Sequence, residues 1–173
     1  MHEKQELEQY FFDQATLDHL ARLAARFPRP CCLCTPTLGE ELEKRGVQAR
    51  TLDIDTRFEY LRGFRYYDIT RPERPGERYG IIICDPPFLY VPLADLLRTI
   101  TILSFDDYSQ PLLINYLSAR ATAITSVFSG FGLRPSGYRP GYRTIQNRGR
   151  NQMEFFSNLS DDSVLVPPPV SLV

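Results

Sequence analysis

Apolar residues along this chain switch repeatedly between two spacings, three to four apart and then in short unbroken runs. That alternation predicts helices interleaved with buried strands. Over residues 5–26, Leu17, Leu20, Leu23 and Ala24 recur at helical spacing, and the helix is expected to stop before Phe27-Pro28. Pro30 to Cys34 reads as a first strand. Thr37, with Glu40 three residues on, reads as a capping box for a helix running to about Lys44. Val47 to Ile54 alternates into a second strand and Phe64 to Ile69 into a third, followed by a polar loop, Arg71 to Arg78. Ile81 to Cys84 is a fourth strand. Pro92 to Leu103 has helical spacing through Leu93, Leu96, Leu97 and Ile100; Pro111 to Leu117 is a fifth strand, and Ala119 to Phe128 the next helix. Gly132 to Asn158 reads as an antiparallel pair closed by Met153 to Phe156. The order predicts an α/β fold in three layers, around a mostly parallel, seven-stranded sheet with antiparallel last strands. Residues 1–161 form one domain in this reading, and 162–173, with three consecutive prolines, a disordered tail.

The fourth strand carries the most informative chemistry. Ile81, Ile82 and Ile83 lie between Gly80 and the pair Pro86-Pro87, so the strand is short and buried on both faces, as in parallel sheets covered by helices. The prolines lack amide hydrogens, which ends the ladder and keeps the backbone extended. Asp85, the carbonyl of Pro86 and the ring of Phe88 then sit at the carboxyl end of a central strand, where open α/β sheets bind ligands. That tip suits methyl transfer to an uncharged amine. An exocyclic amino group shares its lone pair with its ring and is a poor nucleophile. A carboxylate and a fixed carbonyl can hold its two hydrogens and turn the lone pair towards an electrophilic methyl. An aromatic ring just beyond can stack on a flat base. Without its flanks the same run also reads as a strand ending in an Asp-Pro-Pro turn, with Phe88 in the core.

With its flanks the run resembles a known family. Gln9-Tyr10-Phe11-Phe12-Asp13, Leu52-Asp53-Ile54-Asp55-Thr56-Arg57-Phe58, Asp85-Pro86-Pro87-Phe88-Leu89 and Gly149-Arg150-Asn151-Gln152, leading into Phe155-Phe156-Ser157-Asn158, follow in the order of the N6-adenine methyltransferase-like family. The resemblance runs from about residue 9 to about residue 160. It implies a Rossmann-like fold, S-adenosylmethionine as cofactor, and Asp85, Pro86, Pro87 and Phe88 as the catalytic run. It also implies that Tyr10, Phe11 and Phe12 lie beside the cofactor, with Thr35 and Pro36 in the loop after the first strand and Asp85 at its methyl end. Relatives methylate either ribosomal RNA adenine or a lysine of elongation factor 1-alpha. The glycine-rich turn common after the first strand of such folds is missing, for Gly39 stands alone; a cofactor without a pyrophosphate does not require it. An acid at the end of the second strand grips ribose hydroxyls in these sheets, and Asp53 and Asp55 both qualify, one of them being free to pair with Arg57. Asp68, ending the third strand, can meet the cofactor's adenine or cap the following turn.

Composition narrows the setting. The chain has 173 residues, 43% hydrophobic and 24% charged, with no run long enough to span a membrane and a charged start unlike a signal peptide, so a cytoplasmic location is expected. Cys31, Cys32, Cys34 and Cys84 do not form a disulfide framework. With only His2 and His19 they lack the ligands for a zinc site, so no metal is expected. Net charge is only −1, but no Asp or Glu occurs between Tyr108 and Met153, where six arginines fall. That asymmetry suggests a basic face for an anionic partner, or else a solvated basic hairpin. Arg143, Arg148 and Arg150, interleaved with tyrosines, are the candidate substrate contacts, and Phe88 the stacking ring. The function expected is S-adenosylmethionine-dependent N-methylation of adenine in RNA or, behind it, DNA. Lysine methylation of a translation factor is the alternative, and a non-catalytic module on the same fold the second.

Overall fold

A computed structural model describes residues 1–160. Seven strands form one sheet: β1 (Cys31–Leu33), β2 (Arg50–Asp53), β3 (Phe64–Tyr66), β4 (Ile82–Cys84), β5 (Leu112–Leu117), β6 (Arg134–Pro135) and β7 (Met153–Ser157). Their order is β3-β2-β1-β4-β5-β7-β6, with the first five parallel and β7 antiparallel to both β5 and β6.

Alternation of side chains across the sheet builds the layers. Cys31, Leu33, Ile82, Cys84, Leu112 and Ile114 face one way, towards α3 (Leu93–Leu103) and α4 (Ala121–Val127). Cys32, Ile81, Ile83, Leu113 and Phe155 face the other, towards α1 (Gln14–Ala24) and α2 (Pro36–Lys44). The three isoleucines are fully buried because both faces of β4 are covered.

Two expectations are corrected. Of the span 5–26 read at helical spacing, only Gln14–Ala24 is helical, because the Asp13 carboxylate accepts a hydrogen bond from the Thr16 amide and caps α1 there. Residues 5–12 instead make a 3-10 turn, Gln5–Leu7, and an extended strap. Nor does Thr37 cap α2. The helix starts at Pro36, whose fixed φ and missing N–H suit the first helical position, so Thr37 is buried inside it.

Gly39 has a packing role. A Cβ at this position would overlap the Thr51 hydroxyl, so the glycine lets α2 lie close on β2. The left-handed backbone after β1 is taken by Cys34, at φ 55°.

Candidate active site

The carboxyl ends of β1, β2 and β4 open into a cavity of about 320 Å³, within the usual range for small-molecule sites. Cys34 to Thr37 line one side, Asp53 and Ile54 another, and Tyr67 to Thr70 a third. Asp85, Pro87, Tyr90 and Val91 form the end beyond β4, and the strap from Glu6 to Phe12 closes over it. Of the residues singled out from the sequence, Tyr10, Phe11, Phe12, Thr35, Pro36, Asp53, Asp68, Asp85 and Pro87 therefore share one cavity. Asp55, Pro86, Phe88 and the three arginines do not line it.

The two acids after β2 have separate roles. Asp53, 6% exposed, accepts from the Asp55 amide through Oδ1 at 2.7 Å, and burial pushes its pKa up to about 6. Asp55, 2% exposed, faces away into an ion pair. Arg57 donates to it from Nη2 at 2.6 Å and from Nε at 2.9 Å, and the Gln9 amide donates at 2.9 Å. Burial raises its pKa, but Arg57 and Gln9 outweigh that and hold it at about 2. This ion pair fastens the strap: Arg57 also donates to the Gln9 side-chain oxygen and to the His2 carbonyl, both at 2.8 Å.

Beyond β4 the turn is built from carbonyls. The Pro87 carbonyl accepts from the Tyr90 and Val91 amides. Among the described residues nothing donates to the Pro86 carbonyl. Phe88 is half-buried, edge-on to Tyr116 with ring centroids 6.4 Å apart. The Leu89 amide donates to Glu8 at 2.9 Å, which ties the strap to this turn. Asp68 accepts from the Thr70 amide and hydroxyl, so it caps the turn after β3 while lining the cavity.

Asp85 itself is held by a neighbour that sequence reading missed. Asn115, fully buried in β5, donates to Asp85 Oδ1 at 2.9 Å and to the Tyr142 hydroxyl at 2.7 Å. Burial pushes the Asp85 pKa up to about 7, against the lowering effect of the Asn115 hydrogen bond. The signal was present: Asn115 is the one amide in an otherwise apolar run, and a polar group buried there needs partners.

The acid-free segment reaches the site through Tyr142. Residues 141–143 pair with the strap: the Asp13 amide donates to the Gly141 carbonyl and the Arg143 amide to the Phe11 carbonyl, both at 2.9 Å. Arg143 lies over the Phe11 ring at 5.5 Å and donates to the Phe12 carbonyl. Arg148 and Arg150 are exposed, beside and within the 3-10 turn Gly149–Asn151, which packs on the turn Ser118–Arg120 at the end of β5. Arg134 lies on β6 opposite Ser157, towards the other end of the sheet.

Comparison with known proteins bears on this geometry. Residues 3–161 match the family described as "Probable N6-adenine methyltransferase". Among curated proteins none matches. Among solved structures the chain is similar to a candidate RNA methyltransferase of Pyrococcus horikoshii, at 15% identity over 90% of this chain and 88% of that one, with a TM-score of 0.63. It is also similar to magnesium protoporphyrin IX methyltransferase of Synechocystis with bound S-adenosylmethionine, at 17% identity over 83% and 77%, TM-score 0.54. A third is the N-methyltransferase NodS of Bradyrhizobium japonicum with S-adenosyl-L-homocysteine, at 12% identity over 88% of each chain, TM-score 0.53. At such identities these likenesses establish the fold.

The cavity suits that cofactor. Its walls are aromatic and apolar at Tyr10, Phe11, Phe12 and Val91, and buried Asp53 offers a carboxylate acceptor at the end of β2. With nearly its whole length matched, the chain belongs to the family described as probable N6-adenine methyltransferases, and it has the fold of methyltransferases that bind S-adenosylmethionine.

Proposed function

We propose that the protein methylates the exocyclic amino nitrogen of adenine in RNA. The observation that carries this reading is the arginine-bearing segment joined, through Tyr142 and Asn115, to the carboxylate at the tip of β4. Bound S-adenosylmethionine supplies an electrophilic methyl group. Asp85 and the unengaged Pro86 carbonyl hold the two amino hydrogens and turn the nitrogen lone pair outward. As positive charge grows on the nitrogen, the half-buried carboxylate stabilises it and accepts the proton released. Phe88 stacks on the base, which must leave its helix or come from a single strand. Arg148 and Arg150, beside Arg120, neutralise backbone phosphates, and Arg143 does so while tied to Phe11 and Phe12. Asp53 holds the ribose of the cofactor, since Asp55 is already consumed by Arg57.

Total RNA and total protein, incubated in parallel with methyl-labelled cofactor, test the reading. Label is expected in N6-methyladenosine after nucleoside digestion; label confined to peptides overturns it. One observation favours a second reading, transfer to a protein lysine. Leu89 and Tyr90, 73% and 61% exposed, give the mouth beyond Phe88 an apolar rim that suits a peptide. Methyl-lysine in digested peptides would establish that alternative.

The Asp53 role has a pH signature. With its pKa raised to about 6 by burial, Asp53 is protonated below that value and a poorer acceptor for ribose hydroxyls. Binding to the ionised form releases a proton, so affinity for S-adenosylhomocysteine is expected to rise as pH climbs through 6. Calorimetry at pH 5 and 7.5 checks this, and Asp53→Ala should lose on the order of 10- to 100-fold in affinity while flattening the dependence.

A further inference from the structure

Asn115 uses both amide hydrogens, one on Asp85 and one on the Tyr142 hydroxyl. Its position on β5 is set by the sheet, since Asn115 pairs with Phe155 in register. Tyr142 is fixed just as firmly. Its ring packs on Phe12 at 5.5 Å, and its backbone neighbours pair with the strap. A Cβ on Gly141 would overlap the Asp13 carboxylate, so that close pairing depends on the glycine. The carboxylate at the tip of β4 is thus held by an amide from β5, and that amide by a phenol from the arginine-bearing arm.

We propose that Asn115 and Tyr142 are positioning residues for Asp85, through which engagement of substrate by the arm over residues 139–150 sets the aim of the carboxylate. This rests on the reading of Asp85 as the group that holds the substrate amine. An acceptor able to rotate about its side-chain bonds would meet the amine in several orientations, only some of which turn the lone pair towards the methyl. Two hydrogen bonds in series remove that freedom. The groups facing Asp85 are Glu8 from the strap, Cys34 at the end of β1, Cys84 beside it on β4, and Tyr142. Glu8 and burial favour the neutral acid, and the Asn115 amide is the neighbour that favours the carboxylate.

Three variants test this: Asn115→Leu, Tyr142→Phe and the double variant. Each single change leaves the other member of the Asn115–Tyr142 pair without its partner, whereas the double variant removes that donor and acceptor together, leaves only the cavity-lining Asp85 without its amide, and should fold. The readouts are a carboxyl NMR titration of Asp85 in the protein alone, the pH profile of methyl transfer to total RNA, and calorimetry with S-adenosylhomocysteine. Both Asn115 variants should move the Asp85 titration and the pH profile upward. The double variant should cut kcat at least about tenfold and leave S-adenosylhomocysteine affinity unchanged, because an off-aim acceptor weakens the reaction and not the cofactor site. Tyr142→Phe should give a smaller loss in the same direction. Wild-type kcat and an unshifted profile in the double variant, with Asp85→Ala inactive, overturn this inference alone. Wild-type transfer by Asp85→Ala overturns the reading of the site as well.

Discussion

Asp85→Asn is expected to cut methyl transfer by on the order of 10²- to 10³-fold while leaving the fold and the affinity for S-adenosylhomocysteine intact. The Asn115 amide would still find an oxygen at position 85, so the new side chain should keep its place. Its NH₂ group would then face the substrate, presenting donors to the amino hydrogens that need an acceptor. Loss of the charge also removes the stabilisation of a nitrogen turning cationic. In the wild-type protein, burial raises the Asp85 pKa to about 7, so activity should climb with pH through that value and level off above it. The variant's residual activity should lack this limb. A raised carboxyl pKa also means that ionising Asp85 costs the folded state stability, a cost that grows as pH rises from about 3.9 towards 7. At pH 7.5 the variant should therefore melt no lower than wild type. Rates across pH 5–9 and thermal melts check both halves; an active variant would place the chemistry elsewhere.

What could be read in advance follows from what burial demands. A strand covered on both faces must be apolar at every position, so Ile81 to Cys84 announced the centre of the sheet, and Pro86-Pro87 its end. The cavity-lining residues near strand ends were legible for the same reason, because sheet topology puts the tips of β1, β2 and β4 together. Pairings between distant segments left no periodic trace. Asp53 and Asp55 differ only in which way the chain turns after β2, and Arg57, Gln9 and the Asp55 amide decide it. Asn115 and Tyr142 lie in a strand and a loop that pattern alone treats as core and connector. The capping box at Thr37 failed because Pro36 is the stronger start signal, and the strap's pairing with residues 141–143 left no mark in the spacing ahead of the helix that Asp13 caps.

That strap is the target of the second large effect, Arg57→Ala. Asp55 would be left almost wholly buried, with the Gln9 amide, the backbone amide of residue 57 at 3.2 Å and a Lys4 ammonium 3.8 Å away as its remaining partners. Breaking a buried pair costs about 3–5 kcal/mol, and the surviving contacts place this case near the lower end. The cost does not stop at stability. Arg57 also holds Gln9 and the His2 carbonyl, and residues 6–12 wall the cavity, so a loosened strap exposes Phe11 and Phe12 and lowers affinity for S-adenosylhomocysteine. Arg57→Lys should recover only part of both, because an ammonium cannot match the fork that engages Asp55 and Gln9 together. The sign with pH is fixed by Asp55. Its folded pKa of about 2 lies below the unfolded value near 3.9, so its contribution is complete above that value and is lost as pH falls from about 3.9 to 2. Urea midpoints at pH 7, 4 and 2.5 should therefore separate wild type from Arg57→Ala most at neutral pH and converge in acid. Equal midpoints at pH 7 would show that the strap is held by its ladder to residues 141–143 and not by this ion pair.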